Sequence, residues 1–225
     1  MVAIEKADPL VNALYSLLGN GDLAPGQRVD QRLISERLNV SRTPLREALR
    51  ALAADGVLRH TPNHGYQVVR LSVEELLQYY SMRTFLETEL LGSMSWPDEQ
   101  QLADLTAIGA ECEDAAKAKN ISEMVTANRN FHFLMFSWSP LTVLMTEVVR
   151  VWRVSEAYRA VHLVDPARRR QILTDHEHMI QAIRLKDRNR LIRLMNAHRE
   201  RTRQMLNDLV GSSHATVLHL PRARS

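Results

Sequence analysis

Turn-forming residues are unevenly spread along the 225 residues, and this asymmetry constrains the fold more than any other feature. Gly19, Asn20, Gly21, Pro25 and Gly26 form one cluster, and Pro62, Asn63, His64 and Gly65 form a second. Beyond Ser72, apolar residues recur at three- and four-residue spacing over long stretches, broken at Pro97, Asn120, Pro140 and the Asp165-Pro166 pair. A unit of short elements followed by long amphipathic helices is predicted, so the chain reads as mainly α and long enough for two modest domains.

Between the two clusters lie two short helical patterns. Residues 30–38 place Leu33, Ile34 and Leu38 on one face behind Asp30 as N-cap, and Asn39 reads as a turn. Residues 43–55 repeat Leu45, Ala48, Leu49 and Leu52, with Thr43 as N-cap, Pro44 at the first helical position and a stop at Gly56. VLRHT and YQVVR, joined by PNHG, predict a small antiparallel hairpin. Helix, turn, helix, hairpin is the order of a winged helix-turn-helix, assigned to residues 1–70. Residues 72–212 predict an all-α antiparallel bundle of six helices, near 72–95, 98–119, 121–138, 141–163, 167–185 and 188–210, with sequential helices as neighbours across short loops. Residues 213–225 lack a helical period and read as a mobile tail.

Composition removes several classes of protein. A net charge of +3 is too small for a polycation, so any nucleic-acid surface must be local. Cys112 alone cannot form an intrachain disulfide, which favours a reducing compartment. No window approaches the ~18 apolar residues of a membrane span. The expectation is a soluble, cytoplasmic protein with no membrane partner.

The local basic surface is easy to find. Residues 28–59 hold seven arginines, no lysine and four acids. Arg42, Arg46 and Arg50 are spaced by four along one edge of the second short helix, opposite its apolar face. Guanidinium groups can bridge phosphate oxygens or grip guanine at two points, and Ser41 and Thr43 add hydroxyl donors at a helix start that itself favours anions.

The run RLISERLNVSRTPLREALRALAADGVLRHTPNHGYQVV resembles the winged-helix domain of GntR-type bacterial transcription regulators, and GDLAPGQRV resembles the loop leading into it. The resemblance implies that Arg32, Ser41, Arg42, Thr43 and Arg46 meet phosphates and base edges of double-stranded operator DNA. It implies that His64 and Gly65, at the wing tip, reach the minor groove.

In the bundle, polar residues sit inside apolar stripes. Asn128 and His132 share the face of Met124, Val125 and Met135; His176 shares that of Ile172, Met179 and Ile183; His198 shares that of Leu191, Leu194 and Met195. His178 is a weaker candidate, rotated about 200° from His176. The segments NRNFHFLMF and DHEHMIQAIRLKDRNRLIRLMNAH resemble the FCD effector domain of the FadR subfamily, in which an acid and three histidines hold a metal. The resemblance places the ligands at Asn128, His132, His176 and His198, for zinc, nickel or manganese, with Asn128 standing where the family has its acid. SMRTFLETEL resembles the family's first effector helix, in which Arg83 either enters the cavity to bind an effector or pairs with Glu87 facing solvent.

These readings imply a ligand-responsive transcription regulator and not an enzyme. It is expected to be a repressor, bound as a homodimer to a palindromic operator and controlled by a small carboxylate metabolite in the bundle. The alternatives are a helical metallohydrolase using a three-histidine ion, and an architectural DNA-binding protein whose bundle only dimerises.

Overall fold

The computed structural model describes residues 8–19, 21–155, 158, 163 and 165–211, with side chains given as far as 204. The tail expected at 213–225 lies outside the described residues, as does most of the chain expected to continue the 141–163 helix beyond Ser155.

The amino-terminal unit contains α1 (Pro9–Gly19), α2 (Gln31–Leu38), α3 (Arg42–Ala54), β1 (Leu58–Thr61) and β2 (Gly65–Val68). Helix α1 was not among the elements expected above. It buries Leu10, Val11, Leu14, Leu17 and Leu18 against α3, a spacing that does carry the helical signal. Asp30 caps α2 as expected, accepting from the backbone N–H groups of Arg32 and Leu33, and Asn39 closes it in the left-handed region at φ 50°. Two details differ from expectation. Leu33 is 58% exposed, because Ile34, about 100° further round the helix, takes the core position instead. Helix α3 starts at Arg42 with Ser41 as N-cap, so Thr43 and Pro44 lie inside the first turn, where the missing Pro44 N–H still removes no helical bond. Strands β1 and β2 pair antiparallel, Leu58 opposite Val68 and Thr61 opposite Gly65. Gly65, at φ +79°, makes the return that a side-chain-bearing residue would strain.

The bundle contains α4 (Val73–Ser93), α5 (Glu99–Lys117), α6 (Ile121–Phe136), α7 (Thr142–Val154), α8 (Pro166–Arg184) and α9 (Arg188–Gly211). Capping boxes open α4 (Ser72 with Glu75) and α5 (Asp98 with Gln101), and Asn120 and Asp165 cap α6 and α8. Sequential pairing holds for α5 with α6 and for α8 with α9, but α4 packs on α7 and α9 rather than on α5. The reason is chemical: α4 buries Arg83 and Glu87, whose partners are on α7 and α9. Among the described residues no helix is long and apolar enough to cross a membrane.

The two units meet at the end of α7. Val154 packs in the core of the winged helix. Arg153 donates to Asp55, the C-cap of α3, at 2.9 Å; Tyr15 donates to the same carboxylate oxygen at 2.7 Å, and the guanidinium stacks on the Tyr15 ring. The Leu71 N–H donates to the Tyr158 hydroxyl at 2.6 Å, pinning the linker. Hydrogen bonds to charged groups are worth about 1.5–3 kcal/mol, so Arg153→Ala is expected to loosen this joint. Faster tryptic cleavage after the exposed Arg70 than in wild type is the readout, and equal rates would refute the clamp.

Candidate functional site

Two sites stand out. The first is an open cleft between the start of α3 and the hairpin, lined by Arg42, Thr43, Arg46, Arg50, Asn63 and Gly65. The four-residue spacing puts the three arginines on one edge, and among the described residues no acid pairs with Arg42 or Arg46, while Arg50 lies 3.1 Å from Glu47. Gln31, His60 and Tyr66 complete the walls. His60 was not expected here; it faces Tyr66 across the ladder with ring centroids 4.7 Å apart. Ser41 is exposed at the start of α3 and His64 is exposed on the hairpin loop. Arg32 is exposed on α2, outside the cleft, 3.8 Å from Glu36.

The second site is a cavity of about 30 Å³ inside the bundle, so narrow that only a small ligand fits without movement of its walls. Asn128, His132 and His198 line it, as the spacing on α6 and α9 predicts, and Arg83 of α4 joins them. His176 is behind this wall, stacked on Phe131 at 3.9 Å. His132, His176 and His198 are buried, and each presents a ring nitrogen such that all three atoms lie within 4.8 Å of one another. Burial, and next the neighbouring His198, push the His176 pKa well below the usual imidazole value, so this ring is neutral. Among the described residues neither of its nitrogens has a hydrogen-bond partner, nor has the buried Oδ1 of Asn128. His178 is exposed, as its rotation predicts.

Arg83 resolves the choice between cavity and pairing by doing both, and solvent exposure is ruled out. It is 5% exposed, donates from Nε to Glu87 at 2.7 Å, and lies 4.0 Å over the Trp152 ring. Glu87 is fully buried and also accepts from Trp152 Nε1 at 2.7 Å and Arg199 Nε at 2.9 Å. Burial opposes its charge, but the fields of Arg83 and then Arg199 outweigh that and hold its pKa below the usual carboxylate value. Sequence reasoning missed Trp152 and Arg199, which come from other helices. It also missed Asp175. That carboxylate meets His198 Nδ1 at 2.8 Å and accepts from Arg201 and from Gln171. An ionised Asp175 requires a proton on Nδ1, which in a neutral ring puts the His198 lone pair on Nε2.

Burial pushes the Asp175 carboxyl up, but the hydrogen bonds from His198 and Arg201 outweigh it and bring its pKa from 3.8 to about 2. A depressed value means that the stability Asp175 contributes is complete above about pH 4 and is lost as pH falls through the folded-state value. Thermal melts across pH are therefore expected to show Asp175→Asn below wild type at pH 7, with the gap narrowing towards pH 2. A gap independent of pH would contradict this.

Comparison with known proteins identifies the two units. Residues 6–68 match the family described as bacterial regulatory proteins, gntR family, and residues 78–201 match the FCD domain. The chain is 30% identical over 156 residues to the Nta operon transcriptional regulator of Aminobacter aminovorans, covering 69% of this chain and 72% of that protein. It is 26% identical over 224 residues to the gluconate operon transcriptional repressor of Bacillus subtilis, covering 92% and 88%. The solved structure of E. coli McbR/YncC shares the fold, with a TM-score of 0.76 at 20% identity over 89% of this chain and 96% of that one. With a winged helix whose arginine edge lies open and an FCD domain that encloses a polar cavity, this chain belongs to the GntR family of transcriptional regulators.

Proposed function

We propose that this regulator is a repressor that binds a palindromic operator as a homodimer and is released by a small carboxylate bound in the cavity. The observation that carries the ligand-responsive part is that consecutive residues of α7 touch the cavity and the winged-helix unit: Trp152 lines the cavity and donates to Glu87, while Arg153 holds the C-cap of α3. A ligand that binds one setting of α7 more tightly than another would shift the placement of α3 relative to a DNA half-site. In the open cleft, Arg42 and Arg46 are the base and phosphate readers, supported by Ser41 and Thr43, with Arg32 on the backbone and His64 and Gly65 at the minor groove. Arg83 serves the effector.

The donor set fits a divalent ion such as zinc, nickel or manganese. Three imidazoles converge, His176 has two nitrogens without a partner among the described residues, and Asp175 fixes the His198 tautomer. His132, His176 and His198 would hold the ion, with Asn128 Oδ1 as a weaker fourth donor than the family's acid. Such an ion supplies positive charge and open positions for an anionic effector. The metallohydrolase alternative is not favoured, since among the described residues lining the cavity there is no carboxylate to act as general base.

On DNA selected from a random pool by the wild-type protein, Arg42→Ala and Arg46→Ala should each weaken binding by about 1–3 kcal/mol, while Arg193→Ala on α9 should not. His64→Ala should cost less, because the minor groove carries a degenerate code. Gel shifts decide it, and wild-type affinity in both α3 variants would refute the cleft as the reading surface. For the metal, calorimetric titration with zinc, nickel and manganese should show tighter binding by Asn128→Asp and none by His176→Ala. Absence of heat in wild type and Asn128→Asp alike would leave a metal-free cavity.

A further inference from the structure

The cavity wall carries an unbalanced charge. Arg83 and Arg199 are 5% and 3% exposed and share one carboxylate, Glu87, which is fully buried. Both oxygens of Glu87 are in use, Oε1 by Arg83 and Trp152 and Oε2 by Arg199. Asp175 cannot neutralise the remainder, being bound to His198, Arg201 and Gln171. Among the described residues, two guanidiniums against one carboxylate leave one positive charge in a region largely closed to water, where such a charge is costly without a counter-ion.

The donor inventory shows which side chain is left wanting. Arg199 donates Nε to Glu87 and Nη1 to Asn196 at 2.8 Å, but its Nη2 is buried with no acceptor among the described residues, on a side chain that lines the cavity. Arg83, in contrast, is drawn towards Glu87 and covered by the Trp152 ring.

We propose that Arg199, through Nη2, binds the carboxylate of a short-chain monocarboxylate in this cavity, and that Arg83 and Glu87 position the Arg199 guanidinium. The proposal rests on the effector-cavity reading above and moves the anion contact from Arg83 to Arg199. A surplus of one charge suits a monoanion better than a dianion. The narrow space sets a small size, and Val125, Leu163 and Ile172 offer an apolar wall for a short alkyl body.

Calorimetry on the full chain at constant ionic strength and pH 7.5 tests the assignment, with acetate, propionate and butyrate as probes against acetamide, propionamide and butyramide. Wild type is expected to bind at least one carboxylate saturably, to bind it more tightly than inorganic phosphate, and to ignore the matched amide. Arg199→Gln is expected to lose tenfold or more in affinity with its helical circular dichroism retained. Should that variant not fold, Arg199→Lys, which keeps the charge beside Glu87, carries the test: a fivefold or greater loss supports the assignment and wild-type affinity overturns it. Carboxylate binding that survives Arg199→Gln but is abolished by Arg83→Gln would overturn the assignment and leave the cavity reading standing. No carboxylate binding by wild type that still binds DNA would overturn both.

Discussion

Glu87 accepts hydrogen bonds from Arg83 on its own helix, Trp152 on α7 and Arg199 on α9, and much of the bundle depends on that one carboxylate. Removing one partner from a buried ion pair typically costs about 3–5 kcal/mol, because a bare charge remains, whereas the intact pair contributes little net stability. The cluster therefore acts by excluding alternatives. A bundle in which α4 packed on α5, its neighbour in sequence, would bury Glu87 without Trp152 and Arg199. The observed pairing of α4 with α7 and α9 satisfies the carboxylate and lines a cavity with what remains.

That arrangement also decides how the two units can communicate. Trp152 belongs to the cavity and Arg153 to the joint with α3, so a movement of the α7 end would reach both sides. The joint is built from polar contacts to Asp55 together with Val154 in the winged-helix core, and Tyr158 tethers the linker at Leu71. Interfaces with this mixture of polar and apolar contacts are the ones in which relative domain motion is to be expected.

The histidine cluster shows the same division between what is displayed and what supports it. His176 is kept neutral by burial and stacks on Phe131, and His198 has its tautomer set by Asp175, itself held by Arg201 and Gln171. Asn128 in place of an acid leaves the set without negative charge. The same cavity carries the Arg83 and Arg199 surplus, and that surplus is the ground for the anionic ligand proposed above.

Local chemistry was legible in the sequence. Asp30 and Asn39 bound α2, the arginine spacing on α3 made a basic edge, PNHG turned the hairpin, and the apolar stripes of α6, α8 and α9 carried their histidines inward. These follow from backbone periodicity and capping, which depend on neighbours a few residues away. Helix α1 had the same kind of signal in Leu10, Leu14 and Leu18. The exposure of Leu33 was less clear, since adjacent apolar residues compete for one core position. Only tertiary structure decided which helices adjoin, and with them the partners of Glu87, the support of His198 by Asp175 from 23 residues away, the Arg199 Nη2 without an acceptor among the described residues, and the Arg153 clamp. A buried charge is satisfied by whatever the packing of distant segments brings within about 3 Å, and sequence spacing carries no record of that distance.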